Sequence, residues 1–211
     1  MPESDPLYEG RNGDGSGNET RAALMEATYK ALSEYGYADL TVERIGEEFE
    51  KSVSLIYHHY DGKDALLVDF LDTMLDRLEA DIALDEHENA HVHLRALFDR
   101  VLSPSLDDER YAMISAITEL RGQAPHDETY REQFTRSDRL LHDRIAEIVR
   151  RGIDQGVFRD VDPDRTAEML LVTINGAMTE RVTTTNEATV RAVRHELDEY
   201  VRLRLLDDEH S

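Results

Sequence analysis

Apolar residues recur at intervals of three and four along most of the chain, and no segment alternates between apolar and polar positions as a half-buried strand does. This periodicity predicts an all-α fold of about nine helices. Residues 1–17 lack the pattern and are rich in Gly, Pro, Asp, Asn and Ser. We therefore expect a disordered acidic tail that leads into the first helix at about residue 18.

Three short helices are predicted near the N-terminus. The first ends at Gly36, a residue that readily adopts the left-handed conformation closing many helices. Thr41 and Ser52 each precede a short apolar segment, and their side chains can accept hydrogen bonds from the first amides of a helix. A longer fourth helix follows Asp61-Gly62. A turn of a few residues between the second and third helices is typical of a helix-turn-helix, here at about residues 41–60.

Further helical patterns occupy the remainder of the chain. They cover residues 89–102, 107–122, 127–151 and 162–184, and a last stripe runs from Val190 to Val201. The pair Asp162-Pro163 places a capping residue before a proline, the preferred order at a helix start. The sequence therefore predicts a helix-turn-helix domain at residues 18–78 joined to a larger helical domain at residues 79–211.

The composition is strongly acidic, with 46 Asp and Glu against 24 Lys and Arg and a net charge of −22. Taken alone, this charge argues against nucleic-acid binding, which usually requires a basic surface. The acids are dispersed, however, and the chain has only three lysines. Such a coat resembles the surfaces of proteins from organisms with molar salt in the cytoplasm, where the Debye length is about 3 Å.

One polar stretch escapes the acidic composition. Residues 51–60 contain no carboxylate and present hydroxyls, imidazoles and phenols, and two of the three lysines, Lys51 and Lys63, bracket them. This pattern indicates that something negative lies against the predicted third helix.

Four stretches with constrained residue types follow one another here: Thr41-Val-x-x-Ile45, Ser52, Leu55-Ile-Tyr57-His58-His59-Tyr60 and Lys63-Asp-x-Leu66. Their order and spacing resemble the signature of the TetR family of one-component regulators, over roughly residues 18–78. The resemblance implies a DNA-binding transcriptional repressor that binds a palindromic double-stranded operator as a homodimer. It also implies that a small-molecule effector, partly apolar, releases the DNA through the fourth helix.

The resemblance assigns DNA contacts by position. Phosphate contacts are expected from hydroxyl, phenol and ammonium donors at Thr41, Ser52, Tyr57 and Lys63. Base-edge contacts are expected on or near the exposed part of the third helix at Val53, Ser54, Leu55 and His58. Tyr60 is expected to pack in the core.

The turn departs from the family pattern because Glu50 stands where a glycine is usual. Glu50 places a carboxylate near the DNA side. An alternative therefore stays open, in which the chain is an acidic helical interaction protein of the same fold that has lost operator binding.

The resemblance also implies an effector pocket and a dimer interface in the second domain. The candidate pocket residues are apolar or aromatic: Met74, Phe98, Tyr111, Met113, Ile117, Phe134 and Met178. Arg121 or Glu119 is a candidate polar anchor, with a solvated ion pair as the alternative. The candidate interface residues form stripes on the last two helices: Leu170, Ile174, Ala177, Val190, Val193, Leu197 and Val201. For the pocket set, a stripe at helical spacing is more often core than ligand site, and for the interface set an ordinary intramolecular core is the alternative.

Other function classes find little support. The sequence lacks cysteine, a nucleotide-binding glycine loop, a serine elbow and a zincin motif, so we expect neither an enzyme nor a cofactor. His87 and His91 are one helical turn apart, but His93 cannot share their face, so we expect solvated histidines and no metal site. No apolar run reaches the ~18 residues of a membrane span, and we expect a cytoplasmic protein without a membrane partner.

Overall fold

The computed structural model describes residues 15–83, 87–186 and 188–207. Within these ranges the chain forms nine α-helices and no strand, which confirms the predicted all-α class. The helices are α1 (Gly15–Asp39), α2 (Val42–Glu48), α3 (Val53–His59), α4 (Lys63–Ala83), α5 (Ala90–Val101), α6 (Asp108–Arg121), α7 (Glu128–Asp154), α8 (Pro163–Thr183) and α9 (Thr189–Tyr200), followed by a π-helical turn, Val201–Leu205.

Local signals in the sequence account for most helix ends. The Oγ1 of Thr41 accepts from the amide of Arg44, and the Oγ of Ser52 accepts from the amide of Ser54, each at 3.2 Å. Asp162 caps α8 in the same way, one residue before the proline. Gly36 interrupts α1 with a positive φ of 66°, at the point where the sequence predicts an end. Side-chain capping and glycine punctuation are thus confirmed at these positions.

Two boundaries differ from expectation. The first helix begins at Gly15, about one turn before residue 18, and residues 1–14 of the expected tail lie outside the described residues. The chain divides into two compact units after Thr73, within α4, whereas the expected domain boundary at residue 78 lies further along that helix. The second unit begins at Met74.

The first unit buries apolar side chains from all four of its helices, including Leu24, Leu32, Ile45, Ile56, Leu66 and Phe70. The predicted inward face of α2 is confirmed, because Val42, Ile45 and the following Phe49 are all buried. Burial of these faces anchors the two short helices, which would be marginal in isolation.

The second unit has a core contributed mainly by α5, α7, α8 and α9. The chain end closes this core: the amide of Arg159 donates to Leu205 at 2.7 Å, and Phe158 pairs with Leu206 in an isolated antiparallel bridge. Gly152 permits this closure, because a Cβ there would lie 2.0 Å from the Phe158 ring. The predicted last helix therefore ends at Tyr200 and continues as a π-helical turn.

Among the described residues, no helix is both long enough and apolar enough to cross a membrane.

Candidate nucleic-acid interface

Helix α3 presents a polar face to solvent. Ser54, Tyr57 and His58 are exposed, Tyr57 with 52% of its surface accessible, and their spacing of three and four places them on one side of the helix. Ile56, on the opposite side, is 1% exposed and anchors the helix. The arrangement displays a hydroxyl, a phenol and an imidazole together, as the sequence predicts for this stretch.

Two of the predicted base contacts are less available. Val53 is half-buried and packs against Gly46 of α2, where an added Cβ would lie 2.3 Å from the Cγ2 of Val53. Leu55 is also half-buried. The packing role of Val53 was missed because Gly46 is seven positions earlier, and only the fold brings the two together.

The predicted phosphate donors differ in their free donor capacity. Ser52 uses its side-chain oxygen as an acceptor in the helix cap, so its hydroxyl retains a proton to donate. The oxygen of Thr41 is also a cap acceptor, but its hydroxyl bonds to the carboxylate of Glu43. The Nζ of Lys63 donates to the carbonyl of Tyr37 at 3.1 Å and lies 4.3 Å from the centre of the Tyr37 ring. An ammonium group has three protons, so this contact positions Lys63 without exhausting it.

Tyr57 has a charged neighbour that the sequence did not indicate. Its hydroxyl donates to the Oε1 of Glu43 on α2 at 3.1 Å. This bond raises the pKa of Tyr57, while the backbone amide of Glu43 and then the hydroxyls of Tyr57 and Thr41 lower the pKa of Glu43. The carboxylate is therefore ionised at neutral pH and accepts from two of the predicted phosphate donors.

A second carboxylate, that of Asp69, holds the C-terminal end of α3 in place. Asp69 accepts from the Nε of Arg21 at 3.0 Å and from the Nη2 at 2.6 Å, and also from the hydroxyl of Tyr60. Burial alone raises the pKa of Asp69, but the bonds from Arg21 and Tyr60 outweigh it, so the net shift is downward. Burial and the bond to Asp69 raise the pKa of Tyr60. Tyr60 thus has a structural role, linking α3 to α4.

The charge around α3 is unfavourable for a polyanion. Residues 40–66 contain six acids and three bases, for a net charge of −3. Glu50, in the turn between α2 and α3, is exposed. Arg44, one of the three bases, lies over the ring of Tyr35, with its guanidinium carbon 4.4 Å from the ring centre. Any contact with DNA must therefore depend on a few placed donors and not on a broad positive field.

The predicted effector residues have mixed surroundings in the second unit. Met74, Phe98 and Phe134 are buried, whereas Met113, Ile117 and Met178 are half-buried. Tyr111 is 45% exposed, unlike the other six candidates. Two grooves, of about 420 and 310 Å³, are lined by other residues of α7 and of the α8 and C-terminal region.

Arg121 forms a polar centre among the middle helices. Its Nη1 and Nη2 each donate to Asp138 of α7 at 2.9 Å, and Asn175 of α8 donates to the same carboxylate at 3.3 Å. The guanidinium also lies 4.3 Å from the ring centre of Phe134. Of the two candidate anchors, Arg121 therefore joins α6, α7 and α8, while Glu119 is exposed.

The predicted interface residues lie on the inner faces of α8 and α9. Six of the seven are buried within a single chain, and Val193 is half-buried: Leu170, Ile174, Ala177, Val190, Leu197 and Val201 belong to the core of the second unit. A second chain cannot contact side chains that are already buried. Any interface across these helices must use their outer faces, where Val172 is 61% exposed.

The histidines near residue 90 are not all solvated. His93 is 2% exposed and accepts from Arg151 at its Nδ1 at 2.5 Å, which corrects the expected surface position. His87 contacts it edge-on, with ring centres 6.0 Å apart. Within the described ranges, no cluster of three or more His, Cys, Asp or Glu side chains is arranged to hold a metal ion.

Comparisons with known proteins agree with this arrangement. The family described as "Bacterial regulatory proteins, tetR family" matches residues 24–70, and the family described as "BetI-type transcriptional repressor, C-terminal" matches residues 90–206. The HTH-type transcriptional repressor AcnR of Corynebacterium efficiens is 25% identical over 166 residues, covering 78% of this chain and 82% of that relative.

Solved structures show the same fold. A TetR transcription regulator from Haloarcula marismortui is 35% identical, with a TM-score of 0.83, covering 89% of this chain and 98% of its own. A putative transcriptional regulator from Saccharomonospora viridis, solved in complex with choline, is 23% identical, with a TM-score of 0.75 and coverage of 90% and 98%.

Proposed function

Because the chain belongs to the TetR family of transcriptional regulators, we propose that it represses transcription by binding a palindromic operator as a homodimer, and that a small-molecule effector releases it. The observation that carries the DNA-binding part is the exposed face of α3. Ser54, Tyr57 and His58 project together from a helix that is capped at Ser52 and anchored at Ile56. Thr41 and Lys63 flank it with further donors suited to phosphate oxygens.

A gel shift with the protein's own upstream DNA, from 0.1 M to molar KCl, tests this function. Retardation of that fragment, but not of a shuffled fragment, is the expected result. Tyr57→Ala should weaken binding to all sequences alike because it removes a phosphate donor, whereas Ser54→Ala should alter site preference. The opposite pattern would overturn the assignment of the two contacts.

The alternative of a regulator fold without operator binding has its own observation. The carboxylate of Glu43 already accepts the hydrogen bond that the Tyr57 hydroxyl can donate, and Glu50 adds an exposed carboxylate in the turn. An absence of retardation at every salt concentration would favour this acidic interaction protein over the repressor.

A homodimer is proposed across the outer faces of α8 and α9. Val172, Gly176 and Thr179 are exposed, and their spacing of four and three places them along one side of α8. Apart from its chain neighbours and the backbone of its own helix, no described atom lies within 4 Å of where a Cβ on Gly176 would be. A small residue beside an exposed valine allows a second helix to approach closely. Two copies of α3 held in this way would read half-sites one helical turn, about 34–36 Å, or a multiple of it apart.

The effector is proposed to bind among α6, α7 and α8, beside the cluster of Arg121, Asp138 and Phe134. Aromatic faces and carboxylates attract quaternary ammonium groups, and here a guanidinium already covers the Phe134 ring. The relative from Saccharomonospora viridis binds choline, which makes choline the first probe.

Choline chloride added to the protein–DNA complex tests the effector class. Release of DNA at millimolar choline, but not at equal KCl, is expected, and Phe134→Leu should blunt the response because it removes the aromatic face. If choline and KCl act alike, choline is excluded as the effector.

A further inference from the structure

Glu43 occupies a place where the DNA backbone is expected. Its Oε1 accepts from the hydroxyl of Tyr57, and the hydroxyl of Thr41 also bonds to its carboxylate. Tyr57 and Thr41 are both predicted phosphate donors. The carboxylate of Glu43 therefore stands in for a phosphate group on the free protein.

The contact between Glu43 and Tyr57 lies on the solvent-exposed side of the α2–α3 pair. Glu43 and Tyr57 are both exposed, so each is accessible to an approaching duplex. Lys63 and Lys51 have neutral oxygen acceptors, the carbonyl of Tyr37 and the hydroxyl of Thr20, which do not repel DNA. At Tyr57, by contrast, a phosphate arriving at the hydroxyl meets an ionised carboxylate.

Resting on the proposed function, we propose that Glu43 is an internal competitor of the DNA phosphate for Tyr57, and that complex formation takes up a cation between Glu43 and the phosphate. Two anions brought together near a surface repel, and the repulsion strengthens as the local dielectric constant falls below that of water. A potassium ion at the junction offsets this repulsion. Other phosphate contacts release counterions when the complex forms, and the cation bound at Glu43 reduces the net number released. The affinity for DNA therefore depends less steeply on salt concentration.

Glu43→Gln tests the proposal, with Glu48→Gln as its matched control. Both variants remove one negative charge from an exposed position on α2. Residue 48 lies about 140° around the helix axis from residue 43, so it does not face Tyr57. The probe is a fluorescent duplex carrying the protein's own upstream sequence, and its affinity is measured by anisotropy from 0.1 M to 2 M KCl.

Glu43→Gln is expected to raise affinity at low KCl by about five- to tenfold. The slope of log affinity against log KCl should become more negative by about one, because one cation is no longer taken up. Glu48→Gln should change affinity by less than about twofold and leave the slope nearly unchanged, since it alters only the distant field. In a Tyr57→Phe background, the gain from Glu43→Gln should fall to that of Glu48→Gln.

Equal effects of the two variants in a protein that binds the duplex would overturn the competition while leaving the proposed function standing. A gain from Glu43→Gln that persists undiminished with Tyr57→Phe would also overturn it, because the hydroxyl would then be irrelevant. If neither the wild type nor any variant binds the duplex, the proposed function falls and this inference falls with it.

Discussion

Tyr60 shows that residue type alone does not assign a DNA contact. It follows two exposed histidines in the acid-free stretch, yet it is half-buried and its hydroxyl donates to Asp69. Arg21 binds the same carboxylate from α1. The three side chains join α1, the end of α3 and α4, so the orientation of α3 depends on a half-buried charge cluster behind it.

Asp69→Asn should reveal that dependence as a change in acid stability. At pH 7 the variant should lose about 1–3 kcal/mol of unfolding free energy, because hydrogen bonds to a charged group are replaced by weaker ones. The folded-state pKa of Asp69 is lowered, so its contribution is complete above the ordinary aspartate value of about 3.9 and is lost as pH falls through the lowered value.

Urea unfolding of both proteins between pH 7 and pH 2 measures this difference. The difference in unfolding free energy between wild type and Asp69→Asn should narrow below about pH 4. The exposed Glu48→Gln should stay within about 0.5 kcal/mol of wild type throughout. A gap that is constant with pH would contradict the assigned role of the Asp69 carboxylate.

At the residue scale, local signals were predictable and distant ones were not. Thr41 and Ser52 cap helices because their hydroxyls reach amides two or three residues away, a relation visible in the sequence. Glu43 and Tyr57 are fourteen positions apart, and their bond depends on how α2 packs against α3. From the sequence alone, Glu43 cannot be distinguished from the other acidic residues expected on the solvent-exposed side of a helix.

At the element scale, the approach of α2 to α3 is set by Gly46. A Cβ at this position would lie 2.3 Å from Val53, closer than carbon atoms can pack, so the two helices would have to separate. Gly46→Ala should therefore destabilise the protein by about 1–3 kcal/mol despite the higher helix propensity of alanine.

Gly17→Ala is the matched control, because no described atom other than its chain neighbours and the backbone of α1 lies within 4 Å of its Cβ position. It should be neutral or stabilising by up to about 1 kcal/mol. Thermal unfolding followed by circular dichroism compares the two variants. Equal stability changes at both glycines would contradict close packing of α2 on α3.

The apolar stripes predicted as a dimer interface lie in the chain's own core, for a physical reason. An apolar stripe at helical spacing must be buried, but the sequence does not state whether its own chain or a second copy covers it. In α8 and α9 the stripe faces the chain's own core. The more informative signal is a large apolar residue on the opposite face, which only the structure reveals at Val172.

Val172→Asp should weaken the proposed dimer, because it places a charge in the centre of the outer face of α8. Val92→Asp is the control, since Val92 is similarly exposed, at 50%, on α5. Analytical ultracentrifugation should show monomers for the first variant at concentrations where the second remains dimeric. Dimers of equal strength in both variants would exclude this face.

For the whole molecule, the dominant property is a net charge of −22 spread along the chain. Self-repulsion opposes the compact state, and salt screens it. The midpoint of thermal unfolding should therefore rise by about 5 °C or more between 0.1 M and 2 M KCl. A midpoint that is highest at the lowest salt would contradict a coat adapted to high ionic strength.

The helical class and the helix-turn-helix were predictable because periodicity, caps and glycine breaks agree along the chain. The division within α4 was not, since a continuous helix carries no local mark where one compact unit ends. The surroundings of the candidate effector residues were not predictable, because burial distinguishes Phe134 from the exposed Tyr111 and no sequence pattern does.

The central claim is that α3 binds a specific duplex as part of a symmetric pair. Hydroxyl-radical footprinting on the protein's own upstream DNA, in molar KCl, tests it most directly. Two protected patches are expected, related by two-fold symmetry and centred about 34–36 Å or a multiple of it apart. Both should disappear with Tyr57→Ala. Unprotected DNA across the whole KCl range, or protection that survives Tyr57→Ala unchanged, would contradict the claim.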